Sequence, residues 1–190
     1  MTDFKQVSSV IDSSLMTKTK DRVKDHGEVL TPPQLVSDML DLAWTDDIHV
    51  TYLEPSCGTG NFLVEILRRK LDISSTVSDA IISLTTLYGF DILLDNVETT
   101  KDRLREMMWL WIDWKFPDFN NNTYNAIGHI LSYNIQVADM LNEVYLDGSD
   151  IYVYEWKVNK KSVSGKQVMY KDVSLPIHAK SKDIVRIRYI

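Results

Sequence analysis

The stretch Thr51-Tyr-Leu-Glu-Pro-Ser-Cys-Gly-Thr-Gly-Asn-Phe-Leu-Val-Glu65 decides the fold of this chain. It predicts a short apolar strand, a turn with two glycines, and a helix that begins directly after the turn. Gly58 and Gly60 let the backbone turn sharply and approach a ligand, and the start of the helix offers unpaired N–H groups. The turn lacks both the Gly-Lys-Ser/Thr of a P-loop and the Gly-x-Gly-x-x-Gly of a dinucleotide site. Glu54, at the end of the strand, suits a ligand that carries an ammonium group or ribose hydroxyls.

Strands and helices alternate along the chain as far as Trp156. Such alternation predicts an α/β protein with a mostly parallel sheet and helices on both of its faces. Ligands of these sheets bind beyond the carboxyl ends of the strands, where four carboxylates are expected to share one rim: Glu54, Asp91, Asp139 and Glu155. The patterns predict strands over residues 50–53, 86–90, 134–138 and 151–156, and helices from near Pro32 and over residues 61–71, 77–84, 96–116 and 123–132.

The two ends of the chain differ from this middle part. Residues 1–30 are predicted to be a helical extension, with Thr31 capping the helix that follows. Residues 157–190 are predicted to add antiparallel strands over residues 166–173 and 184–189, with a turn at residues 162–165. A length of 190 residues suits one domain spanning residues 1–190.

Composition narrows the class of protein. Apolar residues make up 44% and charged residues 25% of the chain, as in ordinary globular proteins. No apolar run approaches the roughly 20 residues of a membrane span, and no signal-peptide pattern opens the sequence. Cys57 is the only cysteine, so we expect no intrachain disulfide and no metal site. These features predict a cytoplasmic protein that does not interact with membranes.

The charge is unevenly distributed. The net charge of −6 is unfavourable for a protein that grips nucleic acid, because phosphate contacts need Lys and Arg. The last forty residues are nevertheless basic, whereas the middle of the chain is acidic. Two interpretations stay open for the basic segment: ordinary solvated surface charge, or a basic face that contacts nucleic acid.

Four motifs in order resemble those of the amino-methylating DNA methyltransferases, especially the N6-adenine group. The stretch Leu53-Glu-Pro-Ser-Cys-Gly-Thr-Gly-Asn-Phe62 resembles the cofactor-binding motif of that family. Gly27-Glu-Val-Leu-Thr-Pro-Pro-Gln-Leu-Val36 resembles its N-terminal motif, and Leu87-Tyr-Gly-Phe-Asp-Ile92 and Asn134-Ile-Gln-Val-Ala-Asp-Met-Leu141 resemble its second- and third-strand motifs. The resemblance implies a Rossmann-like class I methyltransferase fold, S-adenosylmethionine as cofactor, and methyl transfer to an adenine amino group in DNA.

The resemblance also implies roles for individual residues. Thr31 would bind the methionine carboxylate of the cofactor, Glu54 its ammonium group, Asp91 its ribose hydroxyls and Asp139 its adenine amino group. Each has a plainer alternative role as a helix cap or turn residue. The remaining residues of the implied site would line the same crevice, with Phe62 and Ile92 packing on the adenine: Pro55, Ser56, Cys57, Gly58, Gly60, Asn61, Phe62, Ile92 and Met140.

One motif of the family is missing. The amino-methylating enzymes carry Asn/Asp/Ser-Pro-Pro-Tyr/Phe/Trp after the fourth strand, where it holds the target amino group and stacks on a flipped base. In this chain Glu155 and Trp156 stand at that position, without the prolines. In one interpretation Glu155 takes the place of the missing acceptor residue, and Trp156 or Tyr154 is the stacking platform. In a second, catalysis is lost and the chain is a regulatory or interaction protein. A third is a different methyl acceptor.

The segment after Trp156 is short for this family. Only 34 residues follow it, so the chain resembles truncated methyltransferase-like proteins of phages and restriction–modification systems. DNA recognition would then need a partner chain or a homodimer. The helix over residues 96–116 carries Trp109, Trp111 and Trp114, and one side of it is expected to form such an interface.

Overall fold

The computed structural model describes residues 31–119, 122–159, 162–169 and 184–188. The helical extension predicted for residues 1–30 lies outside these residues. The helices and strands, in chain order, are α1 (Pro33–Asp41), β1 (Tyr52–Glu54), α2 (Asn61–Ile73), α3 (Val77–Thr85), β2 (Leu87–Asp91), α4 (Leu94–Lys115), α5 (Asn122–Asn134), β3 (Ile135–Val137), β4 (Tyr152–Asn159), β5 (Ser162–Met169) and β6 (Ile184–Arg188). The ends of α2, α3, α4 and α5 lie within two residues of those predicted.

Helix α1 begins one residue later than a Thr31 cap requires. Its N-cap is Pro32, which makes no side-chain capping bond, and Pro33 occupies the first turn. Proline suits this position because its missing N–H would have no partner in the helix anyway. The prediction that Thr31 caps the helix is therefore wrong. Of the apolar residues of this helix, only Val36 and Leu40 are buried.

The first three strands form a parallel sheet in the order β1-β2-β3. This confirms the predicted α/β arrangement and its first three strands. The register pairs Glu54 with Gly89, and Asp91 with Val137, so the carboxyl ends of the strands meet at one rim. Gly89 allows α2 to pack closely, because a Cβ there would lie 2.6 Å from Cδ1 of Leu63.

The opposite face of the parallel sheet is covered differently from the prediction. Successive strand residues point to opposite faces, so Phe90 faces away from α2. Phe90 is fully buried in a cluster with Ala138, Ile151 and Val153. At this point the loop after β3 and the start of β4, not a helix, cover the sheet.

The fourth predicted strand does not join the parallel sheet. Strand β4 pairs antiparallel with β5, and β5 pairs antiparallel with β6, in a separate sheet of order β4-β5-β6. The predicted antiparallel character of the C-terminal strands is confirmed. The turn predicted at residues 162–165 is wrong, because these residues belong to β5. Gly165 instead lies against an aromatic ring, where a Cβ would be 2.7 Å from Cζ3 of Trp156.

Helix α4 places its tryptophans in different environments. Trp111 is 1% exposed and belongs to the main core, whereas Trp109 and Trp114 are 40% and 43% exposed. Trp111 therefore lies on the core side of α4, and the interface expected on the other side stays a prediction. Within the described residues, the helices are all too short or too polar to cross a bilayer.

Candidate functional site

The glycine turn connects β1 to α2 at the carboxyl rim of the sheet. Gly58 and Gly60 both adopt the left-handed conformation, with φ of 52° and 85°. This conformation strains any residue with a Cβ, which explains why glycines stand here. The turn is closed by a 2.8 Å hydrogen bond from the backbone N–H of Gly60 to the carbonyl of Cys57. The Cys57 N–H in turn donates to the Phe90 carbonyl at 2.8 Å, which attaches the turn to β2.

Asp91 fixes this turn from the end of the neighbouring strand. Its Oδ2 accepts a hydrogen bond of 2.9 Å from the backbone N–H of Gly58. Its Oδ1 accepts from the backbone N–H of Leu93 at 2.8 Å and from Nδ2 of Asn96 at 3.2 Å. The carboxylate is buried, so these donors compensate for the water it has lost.

A buried polar ridge on α4 supports the turn from below. The ridge consists of Asn96, Thr100 and Arg103, which are at most 5% exposed. Thr100 Oγ1 donates to the carbonyl of Gly58 at 3.0 Å, and Arg103 donates to the carbonyl of Thr59 at 2.6 Å. The sequence interpretation missed these three residues. Their spacing of four and three residues on an otherwise apolar helix face was the available signal.

Asn61, the first residue of α2, links the turn to the segment before α1. Its Oδ1 accepts from Arg103 at 2.8 Å, and its Nδ2 donates to the backbone carbonyl of Thr31 at 2.9 Å. The N-cap Gly60 makes no side-chain capping bond. The structure thus brings Thr31, Gly60 and Asn61 together at the start of α2.

Glu54 lies at the end of β1, beside the turn. Burial raises its pKa above the usual 4.5, and a hydrogen bond with the backbone of Ser56 opposes that rise. Cys57 is buried, and burial raises the pKa of its thiol to about 12, with a smaller contribution from Asp91. A thiol with this pKa is protonated at neutral pH, which agrees with Cys57 as a packing residue and not a nucleophile.

The apolar candidates around the rim differ in exposure. Phe62 is half-buried and packs against the main core. Ile92 is 52% exposed beside Asp91, and Met140 is half-buried near the second cluster. Pro55 and Ser56 are exposed on the turn. An accessible apolar side chain therefore stands directly after the carboxylate of Asp91.

Asp139 continues the rim beyond β3. The backbone N–H of Ala138 donates to the carbonyl of Asp91 at 3.0 Å, which holds the two segments together. The carboxylate of Asp139 accepts from the side chain of Asn142 at 2.7 Å and from two backbone N–H groups. These bonds, first of all those from Asn142, hold the pKa of Asp139 below its usual value. Glu54, Asp91 and Asp139 thus follow three adjacent strand ends.

Glu155 and Trp156 do not join this rim. Glu155 is exposed in the middle of β4, not at a strand end, so the predicted fourth position of the rim is wrong. Both residues line a pocket of about 330 Å³ with His49, Thr51 and Thr86, which precede β1 and β2. The indole Nε1 of Trp156 donates to Oδ1 of Asn134 at 2.7 Å, and its ring lies against Gly165. The structure therefore separates these two residues from the glycine turn, and their catalytic role stays a prediction.

The parallel sheet, the helices around it and the glycine turn at its carboxyl rim define a mixed α/β protein. This arrangement is compatible with the Rossmann-like fold of methyltransferases. The chain is similar to the Type II methyltransferase M.VspI of Vibrio sp. (strain 343), with 29% identity over 101 residues. The similarity covers 53% of this chain but only 21% of that relative. No family model and no solved structure matches the chain.

Proposed function

We propose that this chain is a methyltransferase-like domain that binds S-adenosylmethionine at the glycine turn. The observation that carries the proposal is the position of two carboxylates, Glu54 and Asp91, on either side of a turn built on Gly58 and Gly60. The turn lies at the carboxyl rim of a parallel sheet, where such sheets bind ligands. The similarity to a Type II methyltransferase supports the same class of ligand.

The polar groups around the turn match the polar groups of this cofactor. Glu54 would accept from the ammonium group. The first N–H groups of α2 have no side-chain cap, so they and Thr31 would bind the carboxylate. Asp91 accepts three internal hydrogen bonds. Because a carboxylate has about four lone-pair positions, Asp91 keeps one for a ribose hydroxyl.

The adenine end of the cofactor would lie farther along the rim. Ile92 is accessible there for contact with the purine ring. Asp139 would accept from the exocyclic amino group and is held in place by Asn142. Phe62, Pro55, Ser56 and Met140 would border the same crevice.

The reaction we propose is methyl transfer to an amino group of adenine in DNA. When bound, the cofactor would supply the methyl group. The chain would have to hold the acceptor nitrogen close to it and accept a proton from that nitrogen. Glu155 remains the candidate for the proton-accepting role, which would require a rearrangement or a partner that brings it to the rim.

A second candidate function is cofactor binding without catalysis. It is favoured by the distance in the fold between Glu155 and the glycine turn, since Glu155 lines a pocket at the opposite ends of the strands. The parallel sheet also runs in one direction, β1-β2-β3, without a reversal of strand order among the described residues. Such a protein would regulate, or interact with, a methylation or restriction partner.

The decisive measurement is calorimetric titration with S-adenosylmethionine and S-adenosylhomocysteine. We expect micromolar binding of both, and Glu54→Gln should weaken binding by about 10-fold or more, because it removes a charge-assisted bond. Glu106→Gln is the matched control, since Glu106 is exposed on α4. Absence of binding to the folded wild-type protein would exclude both candidate functions.

A transfer assay separates the two candidates. Labelled methyl groups are followed from the cofactor into duplex DNA with the wild-type protein and with Glu155→Gln. Transfer that is abolished in the variant, with cofactor affinity unchanged, supports the enzyme. Saturable cofactor binding with no transfer to DNA supports the regulatory role.

A further inference from the structure

The two parts of the chain carry opposite charge. Residues 157–190 contain nine Lys or Arg and two Asp, whereas residues 1–156 contain 12 basic and 25 acidic residues. Residues 157–190 thus have a net charge of +7, and residues 1–156 have a net charge of −13. An asymmetry of this size indicates an anionic partner for the basic part.

The antiparallel sheet arranges part of this charge on one face. The register places Lys157 opposite Ser164, Asn159 opposite Ser162, and Glu155 opposite Lys166. Directly opposed residues share a face of an antiparallel sheet, and alternate residues along each strand do so as well. Lys157, Asn159 and Lys166 are exposed. We call these positions the basic face: Glu155, Lys157, Asn159, Ser162, Ser164 and Lys166.

Strand β6 extends the same rows with two further basic positions. Its register places Arg186 opposite Ser164, Arg188 opposite Ser162 and the apolar Ile184 opposite Lys166. The alternate positions of β4 and β5 point to the other side, where Trp156 and Val158 pack against the core and Val163 is fully buried. Packing on that side fixes the orientation of the sheet, so the basic face is directed outward.

The residue types of the basic face identify the chemistry of its partner. Apart from Glu155 they are Lys, Ser and Asn, the donors that commonly contact phosphate oxygens. From Glu155 to Asn159 on β4 and from Ser162 to Lys166 on β5, this face carries no apolar or aromatic residue. Protein interfaces usually have such anchors at their centre. It likewise lacks the aromatic platforms on which proteins stack the bases of single strands. Of these possible partners, the charged phosphate backbone of a duplex fits the residue types of the basic face best.

We propose that the basic face binds the phosphate backbone of double-stranded DNA independently of sequence. The choice of DNA as the polyanion rests on the proposed function of the glycine turn. The contact holds the DNA through charge, and the acidic remainder of the chain repels it elsewhere. This charge-driven contact is therefore centred on the antiparallel sheet and weakens steeply with salt.

Fluorescence anisotropy with a labelled duplex, at several salt concentrations and without cofactor, tests this proposal. Lys157→Gln/Lys166→Gln removes two charges from the basic face. Lys101→Gln/Arg105→Gln removes two charges from α4, where both residues pair with acidic neighbours, and is the matched control. We expect the first variant to bind about tenfold more weakly at low salt, with a salt slope shallower by about two, and the control to bind at least as well as the wild type. Thermal unfolding checks that both variants are folded.

Three outcomes would overturn the proposal. They are no binding of the wild type to duplex DNA at low salt, equal affinities of the two variants, and equally tight binding of the wild type to anionic phospholipid vesicles. Because the assay contains no cofactor, its result is separate from the calorimetric test. Duplex binding through Lys157 and Lys166 without cofactor binding would leave this inference standing and reject the proposed function alone.

Discussion

Asn134 and Trp156 link the two sheets of the molecule through one partly buried hydrogen bond. Asn134 is 1% exposed, and its Oδ1 accepts from the indole Nε1 of Trp156 at 2.7 Å. Its Nδ2 donates to the carbonyls of Thr85 and Leu87 at 3.3 and 2.9 Å. If the amide were flipped, its oxygen would face two carbonyl oxygens, to which it cannot donate. Only one orientation of the Asn134 amide therefore satisfies these hydrogen bonds. This bond holds Trp156 against the core and away from the glycine turn.

We expect Trp156→Phe to lower the free energy of unfolding by about 1–3 kcal/mol, because it leaves Oδ1 of Asn134 buried without its donor. Urea denaturation measures the change. Trp44→Phe is the matched control, since the Trp44 indole donates to Asp46 at the surface at 2.8 Å. A loss as small as that of the control would mean that the bond does not hold the sheets together.

The glycine turn should tolerate no side chain at Gly60. A Cβ at this position would lie 2.8 Å from Cγ2 and 2.9 Å from Oγ1 of Thr100, which is fully buried. Gly148 has a similar φ of 80° but nothing within 4 Å of a Cβ. Gly148→Ala should therefore cost only the left-handed strain of about 1–2 kcal/mol, and Gly60→Ala about 1–3 kcal/mol more. Equal losses in chemical denaturation would show that Thr100 does not confine the turn.

The ridge on α4 should stabilise the turn through Arg103. We expect Arg103→Met to lower the free energy of unfolding by about 1.5–3 kcal/mol, because the Thr59 carbonyl and Asn61 Oδ1 lose a charged donor. Arg105→Met removes a surface ion pair from the same helix and should cost about 1 kcal/mol or less. If the turn serves the cofactor, Arg103→Met should also raise the cofactor dissociation constant, and Arg105→Met should not. A smaller loss for Arg103 than for Arg105 would contradict the role of the ridge.

Lys70 should make stability depend on pH in the alkaline range. Its Nζ donates to the carbonyls of Ile48 and Val50 and to Thr86 Oγ1, at 2.8, 2.7 and 2.7 Å. Burial lowers its pKa from 10.5 to about 8. Between these values the unfolded chain binds more protons, so the stability of the folded state rises with pH through this window and falls as pH drops toward 8.

The pH effect is measured as the difference between the wild type and Lys70→Met. Unfolding free energies between pH 8 and 9.5 should rise by up to about 1.4 kcal/mol per pH unit more in the wild type. Titrating groups that do not contact Lys70 are common to both proteins and cancel. Parallel profiles would show that Lys70 keeps its proton throughout.

The sequence was sufficient for the glycine turn and the helices but not for the second sheet. The apolar spacing of α2 and the glycines before it follow from local rules, so their positions were predictable. Alternating apolar and polar residues are expected in β4 whether it pairs in parallel or antiparallel. The sequence therefore did not predict which strand β4 pairs with. Gly165 was interpreted as a turn residue. Glycine is required at this position because the ring of Trp156 on the neighbouring strand leaves no room for a Cβ. That contact exists only in the folded sheet.

The carboxylates of the rim, like the glycine turn, were predictable from local sequence patterns. The α4 residues that support the turn were not. Glu54, Asp91 and Asp139 each follow a strand of the parallel sheet, as the sequence indicated. Asn96, Thr100 and Arg103 lie in the first half of α4, and polar residues of a helix usually face the solvent. Their contacts with the turn depend on how α4 packs beneath it, which no local pattern specifies.

The shortness of β1 limits how other molecules can attach to the parallel sheet. Among the described residues β1 has a neighbour on one side only, and it consists of three residues. Pro55 follows at once and has no N–H to donate. A strand from another chain would find too few backbone groups for stable pairing, which protects this edge from templated aggregation. A protein that completes the crevice beside Glu54 would therefore have to bind through side chains such as the exposed Leu53 and Ile92.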